Sequence, residues 1–296
     1  MKVLSVGHCT LDQIGVVERF AEEDEQVEMP TFSVQGGGTA ATAAVALARW
    51  GVEVRFVGKV GDDDRGELIE RTLSDEGVAT DRMIRSPGRI SQVRFVFVER
   101  DSGHRHTYFT PGNVGPLDPQ EIAPELVDEH ELLLIDSQFP QAQLGLMKRA
   151  KKQGIPVVLE ANHGSGVVSE CVPFADVVIA SERQASSYTG VGSLQGILEA
   201  LLEKGPATAI ITLGDEGAVA MGRDHELVRV DALQVEFLDP TGASDVFLGA
   251  VALGTLEGWE LDRLVRFANA AAGLACTGPG GRSAIADRDR LQKELS

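Results

Sequence analysis

The feature that most restricts the fold of this chain is the alternation of short apolar runs with longer segments of helical periodicity. The runs are rich in β-branched residues and leucine, and they cover residues 3–6, 54–57, 93–98, 132–135, 157–159, 177–179 and 209–212. Apolar residues at helical spacing occupy residues 39–50, 65–76, 143–153, 194–204, 245–257 and 261–276. Nearly continuous apolar strands are typical of sheets buried on both faces. The alternation therefore predicts an α/β fold, with a doubly wound, mostly parallel sheet flanked by helices.

Two segments depart from this alternation, residues 9–35 and residues 90–110. The second has a hairpin pattern that turns at Asp101-Ser102-Gly103. We interpret both as antiparallel excursions from the main sheet. Ligands of α/β proteins bind outside the carboxyl ends of the strands, so we expect the excursions to form a small β-sheet lid there. Residues 1–296 would then form a single domain.

The charge of the chain restricts its partners. With 27 Lys and Arg against 45 Asp and Glu, the formal net charge is −18. Such a field repels phosphate backbones and anionic lipids, so we expect no nucleic-acid and no membrane partner. No apolar run approaches the roughly 20 residues of a membrane helix, which favours a cytoplasmic location. Cys9, Cys171 and Cys276 lack any C-x-x-C spacing, which indicates buried free thiols.

A segment of small residues, Asp239-Pro240-Thr241-Gly242-Ala243-Ser244-Asp245, precedes an apolar helix. Free N–H groups in the first turn of a helix form an anion site, and small side chains let a phosphate approach. A carboxylate at this point suits a base that accepts the proton of a hydroxyl attacking phosphorus. Asp245 is therefore a candidate catalytic base. The alternative is that it only complements the helix dipole.

A glycine turn, Gly36-Gly37-Gly38, opens an alanine-rich helix and would let the backbone approach a ligand closely. Close helix–sheet packing is the alternative interpretation. The turn also satisfies a degenerate G-x-G-x-x-A dinucleotide fingerprint, but that pattern should follow the first core strand. A nicotinamide enzyme is therefore the weaker hypothesis. A P-loop is excluded because the sequence contains no G-x-x-x-x-G-K-[ST] run.

Three ordered motifs make the chain resemble the ribokinase-like (PfkB) carbohydrate kinases over nearly its whole length. They are the segment from Gly37-Gly38 through residues 56–66, the turn Ile211-Thr212-Leu213-Gly214-Asp215-Glu216-Gly217, and residues 239–245, which are similar to a D-x-x-G-A-G-D element. The resemblance implies a ribokinase-like α/β domain with a β-sheet lid. It implies ATP and Mg²⁺ as cofactors, a sugar as the acceptor, and a monovalent cation as an additional candidate.

The resemblance also implies roles for individual residues. Asp245 matches the catalytic base, and the backbone N–H groups of Gly242, Ala243 and Ser244 match the anion hole. Substrate contacts are implied for Asp12, Gly37, Gly38, Thr42 and Gln138. Nucleotide contacts are implied for Thr212, Gly214, Gly217 and Asn269. No metal ligand is assigned.

The chain departs from the family pattern at several of these positions. Ser244 stands where glycine is usual, and a residue other than glycine would be strained if its φ were positive. Thr42 stands where asparagine is usual. The segment Ser181-Glu182-Arg183-Gln184 aligns with an N-x-x-E element linked to magnesium and phosphate, but lacks its asparagine and final glutamate. A catalytically weak sugar-binding sensor is therefore one alternative to an active kinase.

Within the family, residues 36–44 and 276–282 are most similar to the bacterial sulfofructose kinases. Where that subgroup's arginine is expected, after residues 132–135, the chain has Gln138. An amide cannot supply charge-assisted pairing to a sulfonate, which favours an uncharged ketose or related sugar.

A nucleoside kinase would need an aromatic platform, and only 5% of the residues are aromatic. The lid edges also suggest a homodimer formed through the lid.

Overall fold

The computed structural model describes residues 1–162 and 168–295. The strands are β1 Lys2–Val6, β2 Thr10–Val17, β3 Thr31–Gly37, β4 Glu53–Val57, β5 Lys59–Gly61, β6 Ile84–Ser86, β7 Val93–Glu99, β8 Arg105–Thr110, β9 Leu132–Asp136, β10 Val157–Glu160, β11 Val177–Ser181, β12 Thr208–Thr212, β13 Ala218–Gly222 and β14 Leu227–Val230. The α-helices are α1 Thr39–Arg49, α2 Asp64–Ser74, α3 Pro140–Gln153, α4 Val168–Cys171, α5 Glu182–Thr189, α6 Leu194–Leu202, α7 Ala243–Leu256, α8 Leu261–Ala275 and α9 Arg288–Glu294. Across these described ranges, no helix is long and apolar enough to cross a membrane.

The main sheet has eight strands in the order β14-β13-β12-β11-β10-β9-β1-β4. Pairing is parallel from β4 to β12, while β13 and β14 add an antiparallel edge. The predicted doubly wound, mostly parallel sheet is therefore confirmed. From β1 the chain first adds β4 on one side and later adds β9 to β12 on the other side, so β1 is the point where the direction of strand addition reverses. In such sheets the crevice at this switch point, outside the carboxyl ends of the strands, is where ligands bind.

Alternate residues of the main strands enter two separate apolar layers. Along β9, for example, Leu132 and Leu134 face one layer while Leu133 and Ile135 face the other. The first layer is closed by α1, α7 and α8, and the second by α3 and α6. All three cysteines are buried free thiols, as the sequence predicted.

The second sheet, in the order β3-β2-β7-β8, is built from the two segments that departed from the alternation, and we call it the lid sheet. Its hairpins β2–β3 and β7–β8 are antiparallel. The two excursions are therefore antiparallel as predicted, and the central pair β2–β7 that joins them is parallel. The reason is geometric, because β2 and β7 each begin a hairpin and run in the same direction.

Helices α1 and α7 pack closely because both present small residues. Ala40 to Ala44 and Ala46 in α1 are all buried. In α7, a Cβ at Gly249 would lie 2.9 Å from the carbonyl oxygen of Ala43, so only glycine allows this approach without adjustment. The contact brings the N-termini of both helices to the carboxyl edge of the main sheet, beneath the lid sheet.

Candidate active site

Asp245 lies in the first turn of α7, as the sequence predicted. The helix is preceded by Gly242, whose φ of 79° is in the left-handed region. The N–H of Ala243 donates to the carbonyl oxygen of Pro240 at 3.2 Å. Among the residues that the structure describes, the N–H groups of Gly242 and Ser244 have no backbone acceptor. The start of α7 therefore combines free N–H donors with a carboxylate.

The carboxyl group of Asp245 has a pKa above its ordinary value, chiefly because it is desolvated. A hydrogen bond from Thr39, the first residue of α1, and the charge of Arg94 act in the opposite direction. The negative charges of Asp12 and Asp136 raise the pKa further. A carboxylate that is poorly solvated and has a raised pKa is a better proton acceptor than a free aspartate.

Asp12 lies in β2 with only 3% of its surface exposed. The hydroxyl of Thr10 donates to its Oδ1 at 2.6 Å, and burial raises its pKa. A Cβ at Gly37 would lie 2.2 Å from Oδ2 of Asp12, and a Cβ at Gly38 would lie 2.4 Å from the carbonyl oxygen of His8. The glycine turn thus leaves room for the Asp12 carboxylate between the lid sheet and α1.

A cavity of about 250 Å³ joins these groups. Its lining includes these predicted site residues: Asp12, Gly37, Thr42, Gly242, Ser244 and Asp245. Gln138 does not line it. That side chain instead borders a neighbouring cavity of about 440 Å³ together with His8, Gln92 and Phe139.

The cavity also contains side chains that the sequence analysis missed. Arg94 and Val96 of β7, Arg105 and Thr107 of β8, and Thr39 of α1 all line it. The lid residues share one face because Val96 pairs with Thr107 across the two strands, and because side chains alternate along each strand. The alternation of side chains within residues 93–98 and 105–110 could have shown that these residues share a face of the hairpin. The sequence does not show whether that face turns toward the cavity, because this depends on the pairing register.

Two loops cross at the end of the cavity and hold α7 in place. Asp239 is fully buried, and its carboxylate accepts the N–H of Thr241 at 2.9 Å and that of Gly280 at 2.7 Å. A Cβ at Gly242 would lie 2.3 Å from the Cα of Gly281. Gly242 is thus needed both for its positive φ and for this close approach.

The predicted nucleotide residues lie together at the far end of the main sheet. Thr212 ends β12, and Gly214 and Gly217 flank the turn that leads into β13, both with positive φ. A Cβ at Gly214 would meet nothing within 4 Å, whereas one at Gly217 would lie 2.0 Å from the carbonyl oxygen of Val230. Asn269 of α8 donates to the carbonyl oxygen of Asp231 at 2.6 Å, which fixes the segment after β14.

Polar residues at the ends of β9 and β10 were also missed. Asp136 is fully buried and its carboxylate is satisfied by the N–H groups of His8, Ala40, Gln138 and Gln143. Glu160 pairs across from it, and desolvation, followed by the charges of Asp136 and Asp245, raises its pKa to about 8. Its Oε2 is buried and has no hydrogen-bond partner in the described residues, while Asn162 donates to Oε1. The sequence signal for both carboxylates was an acidic residue directly after an apolar strand.

No three His, Cys, Asp or Glu side chains within residues 1–162 and 168–295 cluster as a metal site. Mg²⁺, however, commonly uses one or two carboxylates and takes its other ligands from phosphates and water. The orphaned Oε2 of Glu160 fits that need, because an unpaired buried carboxylate oxygen is costly without a cation or donor.

Comparison with known proteins decides the family. The family model described as pfkB family carbohydrate kinase matches residues 1–288. The chain belongs to the PfkB family of carbohydrate kinases. The ribokinase of Bacillus subtilis (strain 168) is 28% identical over 294 residues, covering 98% of each chain. The deoxyribokinase of Salmonella typhi is 28% identical over 308 residues, covering 100% of this chain and 99% of the relative.

A solved PfkB-type neighbour agrees with the fold. The structure of Arabidopsis thaliana ribokinase complexed with ribose and ATP has a TM-score of 0.83 and 25% identity, and the match covers 100% of this chain and 98% of the other. Membership in the family confirms the predicted enzyme class, an ATP-dependent sugar kinase. The weaker hypothesis of a nicotinamide enzyme is wrong. The glycine turn behind it joins β3 of the lid sheet to α1 and does not follow β1.

Proposed function

We propose that this PfkB-family kinase transfers the γ-phosphoryl group of ATP to a hydroxyl of a sugar bound under the lid sheet, with Asp245 as the general base. One observation carries the proposal: the Asp245 carboxylate shares a cavity of about 250 Å³ with Asp12, at a helix N-terminus that has free N–H donors. A base, a polyol acceptor and an anion site are what phosphoryl transfer to a hydroxyl requires.

Each group would have a separate part in the reaction. The Asp12 carboxylate accepts hydrogen bonds from sugar hydroxyls and orients the sugar, since an ionised carboxylate has about four acceptor sites. Asp245 accepts the proton of the attacking hydroxyl. The N–H groups of Gly242 and Ser244, with the positive end of α7, stabilise charge on the transferring phosphoryl group. The N–H of Ala243 donates to the carbonyl oxygen of Pro240, so it is not proposed as a third donor to the phosphoryl group.

Thr212, Gly214, Gly217 and Asn269 are the proposed nucleotide residues. Gly214 suits this role because its left-handed backbone faces open space. Glu160 is the residue that would hold Mg²⁺, and bound Mg²⁺ would neutralise charge on the nucleotide phosphates. A monovalent cation stays a prediction of the resemblance.

The decisive test is ADP release over a sugar panel with wild type and Asp245→Asn. We expect turnover to fall about 100-fold or more in the variant, which is the scale of losing a general base, while folding and ATP binding persist. The matched control is Asp262→Asn, which changes the first-turn acid of α8, far along the chain and exposed.

The outcomes separate the hypotheses. Near-normal turnover of Asp245→Asn would remove Asp245 from the mechanism. Sugar binding without ADP release in wild type would favour the sensor. The nucleoside kinase is disfavoured by one observation: the described residues lining the cavity include no aromatic side chain to stack on a base.

A further inference from the structure

Two arginines of the lid sheet face the candidate active site, and the proposed phosphoryl transfer uses neither. Arg94 of β7 pairs across from Asp12 of β2, and both line the cavity. Arg105 of β8 lines it as well, and its Nη1 donates to the Thr241 hydroxyl at 3.1 Å, just ahead of α7. One guanidinium thus lies beside the proposed sugar contact and the other at the loop before the proposed base.

Neither guanidinium has an acidic partner at ion-pair distance within residues 1–162 and 168–295. The side chain of Arg94 is half-buried, and its guanidinium forms no hydrogen bond and no ion pair of 4 Å or less with any residue in those ranges. The one acceptor recorded for Arg105 is the neutral hydroxyl of Thr241. Arg100 of the same hairpin shows the contrast, because it pairs with Glu18 at 2.9 Å. A guanidinium has five donors, so the half-buried and unpaired group of Arg94 is a candidate for binding an oxyanion, and Arg105, which is exposed, lines the same cavity.

The two carboxylates of the cavity do not account for these arginines. Arg94 lies beyond 4 Å from the oxygens of both Asp12 and Asp245, and the pKa of each carboxyl group is raised by burial in spite of its charge. Arg282, almost fully buried, adds a third positive charge behind Thr42 and Gly37. The charges of Arg94 and Arg282 act on the buried carboxylates of this site, while the guanidinium of Arg94 keeps its donors without an acceptor in the described residues.

We propose that the substrate is a sugar carrying an oxyanion, a carboxylate or a phosphate, which Arg94 and Arg105 bind while a hydroxyl of the same sugar reaches Asp245. This inference rests on the proposed function and adds the chemical class of its substrate. It replaces the expectation of an uncharged sugar, because that expectation was based on Gln138 alone and not on the two lid arginines. Planar guanidinium groups match carboxylate and phosphate oxygens in pairs, so two of them on one face provide both affinity and orientation.

The test measures binding by calorimetry on the full chain, with a nonhydrolysable ATP analogue present. The probes are matched pairs: fructose with fructose 6-phosphate, ribose with ribose 5-phosphate, glucose with gluconate, and galactose with galactonate. We expect at least one anionic member to bind about 10-fold or more tightly than its neutral partner, and its binding to weaken with added salt. The phosphate and carboxylate pairs distinguish the two oxyanions. If every neutral member binds as well as its anionic partner, the proposal is overturned.

The variants Arg94→Gln and Arg105→Gln locate the effect. Each should lose about 10-fold more affinity for the anionic sugar than for its neutral partner. Arg94→Lys should restore part of the loss, and Arg100→Gln is the control on the same hairpin outside the cavity. An equal loss for neutral and anionic sugars would mean that the arginines only support the carboxylates, which overturns the proposal.

Binding and turnover can fail separately. Anion-selective binding without ADP release would contradict the proposed kinase activity and support the proposed substrate class. Phosphorylation of neutral sugars without a preference for anions would support the kinase activity and contradict the substrate class.

Discussion

At the scale of single residues, the hydroxyl of Thr39 is the group whose effect on Asp245 can be measured most directly. Its hydrogen bond favours the charged carboxylate and lowers a pKa that desolvation raises. In Thr39→Val the pKa of Asp245 should rise further. A general base must be deprotonated, so the acidic limb of the kcat–pH profile should move to higher pH while kcat at high pH changes little.

The control for Thr39→Val is Thr107→Val, which removes a hydroxyl from the lid side of the same cavity. Its acidic limb should coincide with that of wild type. An unshifted limb in Thr39→Val would mean that Thr39 does not tune the base.

Ser244 has a backbone that suits serine. It lies inside α7, in right-handed helical conformation, and the left-handed residue is Gly242 two positions earlier. The strain considered from the sequence therefore does not arise at Ser244. In Ser244→Gly we expect no gain in turnover and a loss of stability of up to about 1 kcal/mol, because glycine in a helix costs backbone entropy.

Melting temperature and turnover of Ser244→Gly beside wild type test this expectation. A 10-fold gain in turnover, equal to about 1.4 kcal/mol, together with a higher melting temperature would show that serine is a defect at this position.

At the scale of elements, the two crossing loops before α7 and after α8 depend on the carboxylate of Asp239. Each of its oxygens accepts a backbone N–H, one from either loop. In Asp239→Asn one oxygen becomes an amide that donates, which leaves one buried N–H without an acceptor and costs about 1–3 kcal/mol. We expect a lower melting temperature and a lower kcat, since the loops position Asp245.

Asp231→Asn is the control for Asp239→Asn, because the Asp231 side chain is 93% exposed. Denaturant unfolding and steady-state kinetics measure both effects. A full kcat in a destabilised Asp239→Asn would mean that the loop contact supports the fold without positioning the base.

The elements also show which parts of the fold local sequence can predict. The strands β1, β9, β10 and β11 were predicted because their apolar runs are continuous and buried on both faces. Helix α5, Glu182–Thr189, was missed because its sequence is polar and buries only Ala185. β14 was missed because it is short and mostly solvent-accessible. Local periodicity cannot report an element whose stability comes from its neighbours.

The candidate site divides in the same way. Asp12 and Thr42 were assigned through the resemblance to the PfkB kinases, and Asp245 also through its position at a helix start; all three line the cavity. Arg94 and Arg105 could not be assigned, because their common face depends on the register between two strands.

At the scale of the whole molecule, the outer face of the lid sheet carries exposed apolar side chains. Phe32 pairs across Gly15 with Phe97, and the next row contains Val34 and Tyr108. Phe32 is 54% and Tyr108 61% exposed. Every residue of the edge strand β8 is exposed. Unpaired strand edges and apolar sheet faces promote association, and an identical copy offers the matching surface about a two-fold axis.

We therefore expect a homodimer formed through the outer face of the lid sheet. Light scattering should give about twice the chain mass of 31.6 kDa for wild type. Phe32→Asp places a charge in each half of the interface and should give a monomer, because burying unpaired like charges across a two-fold axis is costly. Leu227→Asp, which alters an exposed residue of β14 at the opposite edge of the main sheet, should remain dimeric.

Because the inner face of the lid sheet carries Asp12 and Arg94, loss of the dimer should raise the KM for sugar more than the KM for ATP. A monomeric wild type, or a Phe32→Asp dimer, would assign the exposed face a different role.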